Sequence, residues 1–266
     1  MRALILAAGR GLRLQQPEDR QLPKCLLSFG GVTLLERHLR LLRAVGVEEV
    51  VIGVGFRHEL IEAEIARLRW HPRPEFVCNP DFERGSVSTV HALAAPLTTA
   101  PDVLLMDADV LYDIRMLEAL TEGKEPCNRL LIDHEFEPGD EPVKVCVRQG
   151  IAVELRKRVE PGLAYDAIGE SVGFFRLTAG AARRLAELVA GYVLRGASHA
   201  PHEEPVRDLI LERSHEFEVR DVTGLPWIEI DYAADVARAT RSVLPLLDPL
   251  PGAELMRATG SGPSRA

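Results

Sequence analysis

The stretch from Arg2 to Leu6 reads as a buried strand that runs straight into a glycine-rich loop, Ala7-Ala8-Gly9-Arg10-Gly11-Leu12-Arg13. A strand followed by such a loop starts an α/β layer, and the pattern after it repeats the theme. Apolar residues at helical spacing (Leu34, Leu35, Leu39, Leu42 and Val45) predict a helix over Thr33 to Val45, with Gly46 just past its end. A strand over Glu49 to Val54, a helix over Glu59 to Leu68, a strand over Glu75 to Cys78, a helix over Val87 to Leu97 and a strand over Val103 to Met106 follow. This alternation predicts a Rossmann-like, doubly wound, mostly parallel sheet with helices on both faces and ligands at the carboxyl ends of its strands. Aromatic residues make up 5% of the chain and hydrophobic residues 46%, so aliphatic side chains must fill the core.

After about Pro126 the pattern changes. Arg129 to Asp133, Val143 to Val147 and Ala152 to Arg156 read as strands, the last two joined by a turn at Gln149-Gly150 into a small inserted hairpin. Further strands are expected at Glu170 to Leu177, Glu216 to Val222 and Trp227 to Ile230. Helices are expected at Thr178 to Val193, Pro205 to Arg213 and Tyr232 to Leu247. The chain is read as one domain over residues 1–247, with a flexible tail over 248–266 that is rich in Gly, Ser and Ala from Gly252 onward.

The formal net charge of −8 argues against a general nucleic-acid or anionic-membrane binder, while leaving room for a local basic pocket. The apolar start, Ala3 to Ala8, is too short for a membrane span, and Gly-Arg-Gly-Leu-Arg follows it instead of a cleavage site. Cys25, Cys78, Cys127 and Cys146 lack metal-ligand spacing and read as buried thiols of a cytoplasmic protein.

In the loop, Gly9 and Gly11 let the backbone turn and present N–H groups to an anion. Arg10 and Arg13 add positive charge, and Lys24 follows in Leu22-Pro23-Lys24. A triphosphate needs this combination, though a plain connection with surface arginines would look similar. A dinucleotide fingerprint would require a third glycine where Leu14 stands. Two acidic elements also sit at predicted strand ends: Asp107-Ala108-Asp109, and Asp231 after Trp227-Ile228-Glu229-Ile230. They suit Mg2+, which takes carboxylates along with phosphate oxygens and water. Equally, Asp107 or Asp109, and Asp231, could cap the helices that follow them.

Leu6-Ala7-Ala8-Gly9-Arg10-Gly11-Leu12-Arg13, then Leu22-Pro23-Lys24, then Gly30-Gly31-Val32-Thr33-Leu34-Leu35-Glu36-Arg37, resemble the signature of the sugar-phosphate nucleotidyltransferase superfamily. The details are most similar to its phosphocholine cytidylyltransferase-like branch. The resemblance implies Mg2+ as cofactor and a nucleotide part over about 1–125, with an acceptor part over about 126–247. It implies that Leu6, Ala7, Ala8, Gly9 and Gly11 hold the nucleotide and that Arg13 and Lys24 contact its phosphates. Asp109 and Asp231 would be the metal ligands, with Asp107 behind them, so that Arg13, Lys24 and Asp109 form the catalytic set. Asn79, Ser86 and Ser88 match the region beside the nucleotide, although Gly85-Ser86 stands where an asparagine is common; helix capping is the competing role for both serines.

On the acceptor side, Lys144 and Lys157 match lysines of that branch, and Lys157 is the better candidate for the acceptor phosphate. Glu170 and Gly173 lie on the strand expected under the acceptor. Glu203 and Glu204 could bind a cationic or hydroxylated acceptor, or simply favour the positive end of the next helix. The histidines, His58, His91, His134, His199 and His202 among them, form no ligand cluster and read as structural. The implied reaction is transfer of a nucleoside monophosphate, CMP from CTP above all, to a small phosphorylated alcohol or phosphonate with release of pyrophosphate. A sugar-1-phosphate transferase using UTP, dTTP or GTP is the near alternative, and a catalytically inactive regulatory homologue is the alternative of another class. Homodimerisation is left open.

Overall fold

The computed structural model describes residues 1–14, 21–123 and 125–252. In chain order the first half holds β1 (Arg2–Ala7), β2 (Ser28–Phe29), β3 (Val32–Thr33), α1 (Leu34–Ala44), β4 (Glu49–Val54), α2 (His58–Leu68), β5 (Glu75–Cys78), α3 (Ser86–Ala92), α4 (Ala94–Thr99), β6 (Asp102–Asp107), β7 (Val110–Tyr112) and α5 (Ile114–Thr121). The second holds β8 (Asn128–Asp133), β9 (Lys144–Arg148), β10 (Ile151–Arg156), β11 (Ala167–Thr178), α6 (Ala179–Leu194), α7 (Glu203–Glu212), β12 (Phe217–Asp221), β13 (Trp227–Glu229) and α8 (Ala233–Arg238).

Nine strands of the described residues form one mixed sheet. Its path runs β10-β9-β11-β6-β1-β4-β5, with β8 also pairing β11 and β12 pairing β8. The block β6-β1-β4-β5 is parallel, as the alternation of strands and helices requires. The second half is antiparallel where β11 meets β6, β8 and β9. Alternation along β1 sends Ala3, Ile5 and Ala7 to one face, against Leu35, Leu39 and Leu42 of α1 and Ile61 and Ile65 of α2. Leu4 goes to the other face, with Val87, Val90, Leu97 and, from α6, Leu185 and Val189. Helices therefore cover both faces. Thr33 starts α1, its hydroxyl accepting from the Glu36 N–H at 3.1 Å.

Several expectations need correction. The helix read over Val87 to Leu97 is two, α3 and α4, which meet at Leu93 where φ and ψ leave the helical basin. The helix read over Tyr232 to Leu247 is α8 followed by a π turn at Ala239–Val243 and a 3-10 turn at Leu244–Leu246. Neither β7 nor α5 was foreseen. Asp113 caps α5, accepting from the Arg115 N–H at 3.1 Å. Cys25 and Cys146 are buried, but Cys78 is exposed because it ends the edge strand β5. Residues 253–266, most of the expected tail, lie outside the described residues. No described helix is long and apolar enough to cross a membrane.

Candidate active site

The carboxyl end of β1 delivers the glycine-rich loop into a cavity of about 610 Å3. Its wall contains Leu6 through Arg13, Lys24, Ser86, Thr89, and the carboxylates Asp107, Asp109 and Asp231. Gly11 takes φ +62°, and a Cβ there would lie 2.9 Å from the Lys24 Cγ. The glycine thus lets the loop turn and lets the lysine stem pass against it.

The pairing of β7 with β13 assembles the acidic side. Trp227, Ile228 and Glu229 align with Tyr112, Leu111 and Val110, and the Ile230 N–H donates to the Asp109 carbonyl at 3.0 Å. That zipper sets Asp109 beside Asp231, although they are far apart in the chain. Lys24 Nζ donates to Asp109 Oδ2 at 2.7 Å and to Asp231 Oδ1 at 2.6 Å. Arg13 Nη1 donates to Asp231 Oδ2 at 2.7 Å and to Glu141 Oε2 at 3.3 Å. Neither aspartate is a helix cap: Asp113 serves α5, and Asp235 accepts from the N–H groups of Asp231 and Tyr232 at 3.1 and 2.7 Å at the start of α8.

Sequence reasoning missed Glu229. Carboxylate oxygens of Asp109, Glu229 and Asp231 lie within 4.8 Å of one another. Glu229 stands two residues before Asp231 on an extended segment, so the strand period puts both on one side, and that signal was in the sequence. Three hard oxygen donors at this spacing fit a divalent cation such as Mg2+.

Burial pulls the Lys24 pKa down, but the charges of Asp109 and Asp231 outweigh it and leave it raised. Burial works upward on Asp231, yet Lys24 and Arg13 hold its carboxyl below the usual range. Asp107 is pushed well above the usual range by burial and then by the charge of Asp109 and Glu203. Glu229 is exposed as a residue, yet desolvation by the surrounding protein and then the charges of Asp109 and Asp231 raise its carboxyl too. Behind the aspartates, His38 is fully buried and its pKa falls to about 4, so the ring is neutral. Its nitrogens lie 3.2 Å from the Ala108 carbonyl and 3.2 Å from the Tyr112 hydroxyl, bracing the turn between β6 and β7.

Asn79 and Ser88 are not in the cavity wall. Asn79 Nδ2 donates to Ser88 Oγ at 2.8 Å and to Thr89 Oγ1 at 3.1 Å, and Ser88 Oγ donates to the Gly85 carbonyl at 2.6 Å. Both are buried, and their polar groups are consumed in holding the start of α3. Ser86 does line the cavity, and its Oγ accepts from the His202 N–H at 2.7 Å. The buried His202 ring also reaches within 3.7 Å of Asp107, a contact not foreseen.

A second cavity, of about 440 Å3, shares Arg13 with the first and is bordered by Glu141, Lys157, Arg158, Glu203 and Glu204. Lys157 Nζ lies 3.1 Å from Glu141 Oε2. Glu204 is held in a two-pronged pair by Arg156 at 3.1 and 2.8 Å. Lys144 instead ties its own loop, donating to the carbonyls of Gly139 and Lys157. Glu170 and Gly173 belong to neither wall. Glu170 faces Asp133 across the β11–β8 ladder; burial, then that negative charge, raise its pKa to about 7. Gly173, at φ +79°, backs onto Asp107: a Cβ there would be 2.3 Å from Asp107 Oδ2.

A glycine-rich loop, a lysine and paired carboxylates gathered at strand ends define the class of the nucleotidyltransferases. Within it, the chain belongs to the MobA-like NTP transferase domain family, whose model matches residues 3–190. It is similar to the CMP-5'-(3-aminopropyl)phosphonate synthase of Streptomyces rubellomurinus, 27% identical over 246 residues, or 90% of this chain and 38% of that protein. It is also similar to the bifunctional IPC transferase and DIPP synthase of Rubrobacter xylanophilus, 30% identical over 245 residues, or 91% of this chain and 52% of that protein. The chain thus spans about half or less of the length of these two relatives. The inositol-1-phosphate CTP transferase from T. maritima has the same fold, with TM-score 0.69 and 21% identity, covering 91% of this chain and 97% of that one.

Proposed function

We propose that this chain transfers CMP from CTP to a small acceptor bearing a phosphate or phosphonate, releasing pyrophosphate. The observation that carries the reading is the convergence of Lys24, Arg13, Asp109 and Asp231 in one cavity, which shares Arg13 with a second, cation-bearing cavity. The printed names of the relatives, a CMP-phosphonate synthase and a CTP transferase of inositol-1-phosphate, support the choice of nucleotide and acceptor.

In this reading the loop at Ala7 to Gly11 receives the nucleotide. An acceptor oxygen forms a bond to the α-phosphorus of CTP while the bond from that phosphorus to the bridging oxygen breaks, and pyrophosphate departs with the electron pair. A phosphate monoester has a second pKa near ~6, so it arrives as a nucleophile with no proton to remove. Lys24 and Arg13 neutralise the charge that builds on the α-phosphate and the leaving group. Asp109 and Asp231, with Glu229, would hold Mg2+, which supplies Lewis-acid charge neutralisation at the phosphates.

The test is a pyrophosphate-release screen of CTP, UTP, GTP and dTTP against phosphorylated alcohols, alkyl phosphonates and sugar 1-phosphates. Release with CTP and a phosphoalcohol or phosphonate is expected. Release only with sugar 1-phosphates and another nucleotide would replace this reading, and no release with any pair would favour an inactive homologue.

A further inference from the structure

We infer that the Glu141 carboxylate sits in the seat of the acceptor's own anion and is displaced when a tetrahedral dianion binds. The inference rests on the transferase reading and deepens its acceptor side. One oxygen, Glu141 Oε2, receives two cations: Arg13 Nη1 at 3.3 Å, from the loop after β1, and Lys157 Nζ at 3.1 Å, from just past the end of β10. Elements far apart in the chain thus aim positive charge at a single point. That point lies in the second cavity, beside Arg13, which borders both cavities and also holds Asp231. An acceptor anion there would face the nucleotide across Arg13.

The other cations of the second cavity are less suited to the role. Arg156 is forked onto Glu204, and Arg158 lies out at the rim, 81% exposed, beside Asp140. Glu141, by contrast, is an easily displaced partner. It stands in the irregular segment between β8 and β9, its side chain is 56% exposed, and it uses the same oxygen for both contacts. Exposed pairs of this kind contribute little individually. A phosphate monoester or phosphonate brings up to two charges and three acceptor oxygens to a place where the carboxylate offers one of each. The seat therefore selects a tetrahedral dianion over a carboxylate. Glu141 lowers the apparent affinity for such a dianion by competing for the same two cations.

The experiment is calorimetric titration of methylphosphonate into the full chain at pH 8, for the unsubstituted protein, Glu141→Gln and Lys157→Ala. Circular dichroism would check that the fold is unchanged. Glu141→Gln keeps the shape and removes the competing charge, and should bind about fivefold more tightly. Lys157→Ala should bind about tenfold more weakly. Equal or weaker binding by Glu141→Gln, with Lys157→Ala still impaired, overturns the displacement and leaves the acceptor site at Lys157 standing. If Lys157→Ala binds as well as the unsubstituted protein, or no variant binds methylphosphonate, the acceptor site itself is misplaced and the inference falls with it.

Discussion

Lys24→Met removes the one ammonium shared by Asp109 and Asp231, and its consequences can be worked out from the geometry. Two charge-assisted hydrogen bonds, at 2.7 and 2.6 Å, are lost between side chains only 15 to 21% exposed. Each such bond is worth about 1.5–3 kcal/mol where water is largely excluded, and partial exposure puts these near the low end. Asp109, Glu229 and Asp231 are then left crowded, with Arg13 holding only Asp231. The expected destabilisation is about 3 kcal/mol, the order found when one partner of a largely buried pair is removed. For a chain of this size that corresponds to a drop in Tm of about 6–12 °C. A divalent cation should offset most of this loss. In the unsubstituted protein Mg2+ must compete with the ammonium for the same two carboxylates, whereas in the variant it does not. At about a hundredfold excess over its Kd, Mg2+ restores about 2.7 kcal/mol. The assay is thermal unfolding of both proteins in EDTA and in a Mg2+ series, with turnover measured in parallel and expected to fall by orders of magnitude. Equal Tm values in EDTA, or a Mg2+ shift as large in the unsubstituted protein as in the variant, would refute the reasoning.

Two further outcomes follow from single positions. Gly173→Ala should cost about 3 kcal/mol in urea unfolding, because φ +79° disfavours a side chain and its Cβ would press on Asp107 Oδ2; a loss below about 0.5 kcal/mol would show that this contact does not constrain the strand. Glu170 has a folded pKa of about 7 against an ordinary value of 4.5, raised by burial and then by Asp133. A carboxyl raised on folding costs nothing below its ordinary pKa; its penalty grows as pH climbs from 4.5 to about 7 and levels off above that. Glu170→Gln should thus stabilise the protein at pH 8 by about 1–2 kcal/mol after allowance for solvent screening, and leave it unchanged near pH 4.5; a gain equal at both pH values would point to packing instead.

Local patterns in the sequence carried the first half of the fold. The run at β1, its loop, and the apolar stripes of α1 and α2 are signals contained within a dozen residues, and the parallel block follows from them. The pieces that depend on distant partners were not legible. β7 is three residues long and exists because β13, more than a hundred residues later, pairs with it. That same pairing brings Asp109 to Asp231, so the residue types suggested metal ligands while only the tertiary structure shows that the carboxylates meet. Glu229 was readable from strand period alone. Asn79 and Ser88 have the polar groups of ligand contacts, and nothing local distinguishes those from an internal network holding a helix start. Glu141 sits in an irregular segment without periodicity, and its meaning comes wholly from the cations on either side of it.

The twelve-residue strand β11 has a consequence for how the chain can be cut or evolved. It hydrogen-bonds to β6 of the parallel block and to β8 and β9 beyond it. A fragment ending before residue 126 would strip β6 of that partner. The backbone of Asp102–Met106 would become a bare edge, with Val103, Leu104, Leu105 and Met106 deprived of cover on a ready template for aggregation. The two cavities therefore do not belong to two halves that could be exchanged, since β11 ties the parallel block to the strands beyond it. A substitution that shifts β11 would also be felt at Asp107 in the first cavity, because Gly173 of that strand backs onto its carboxylate.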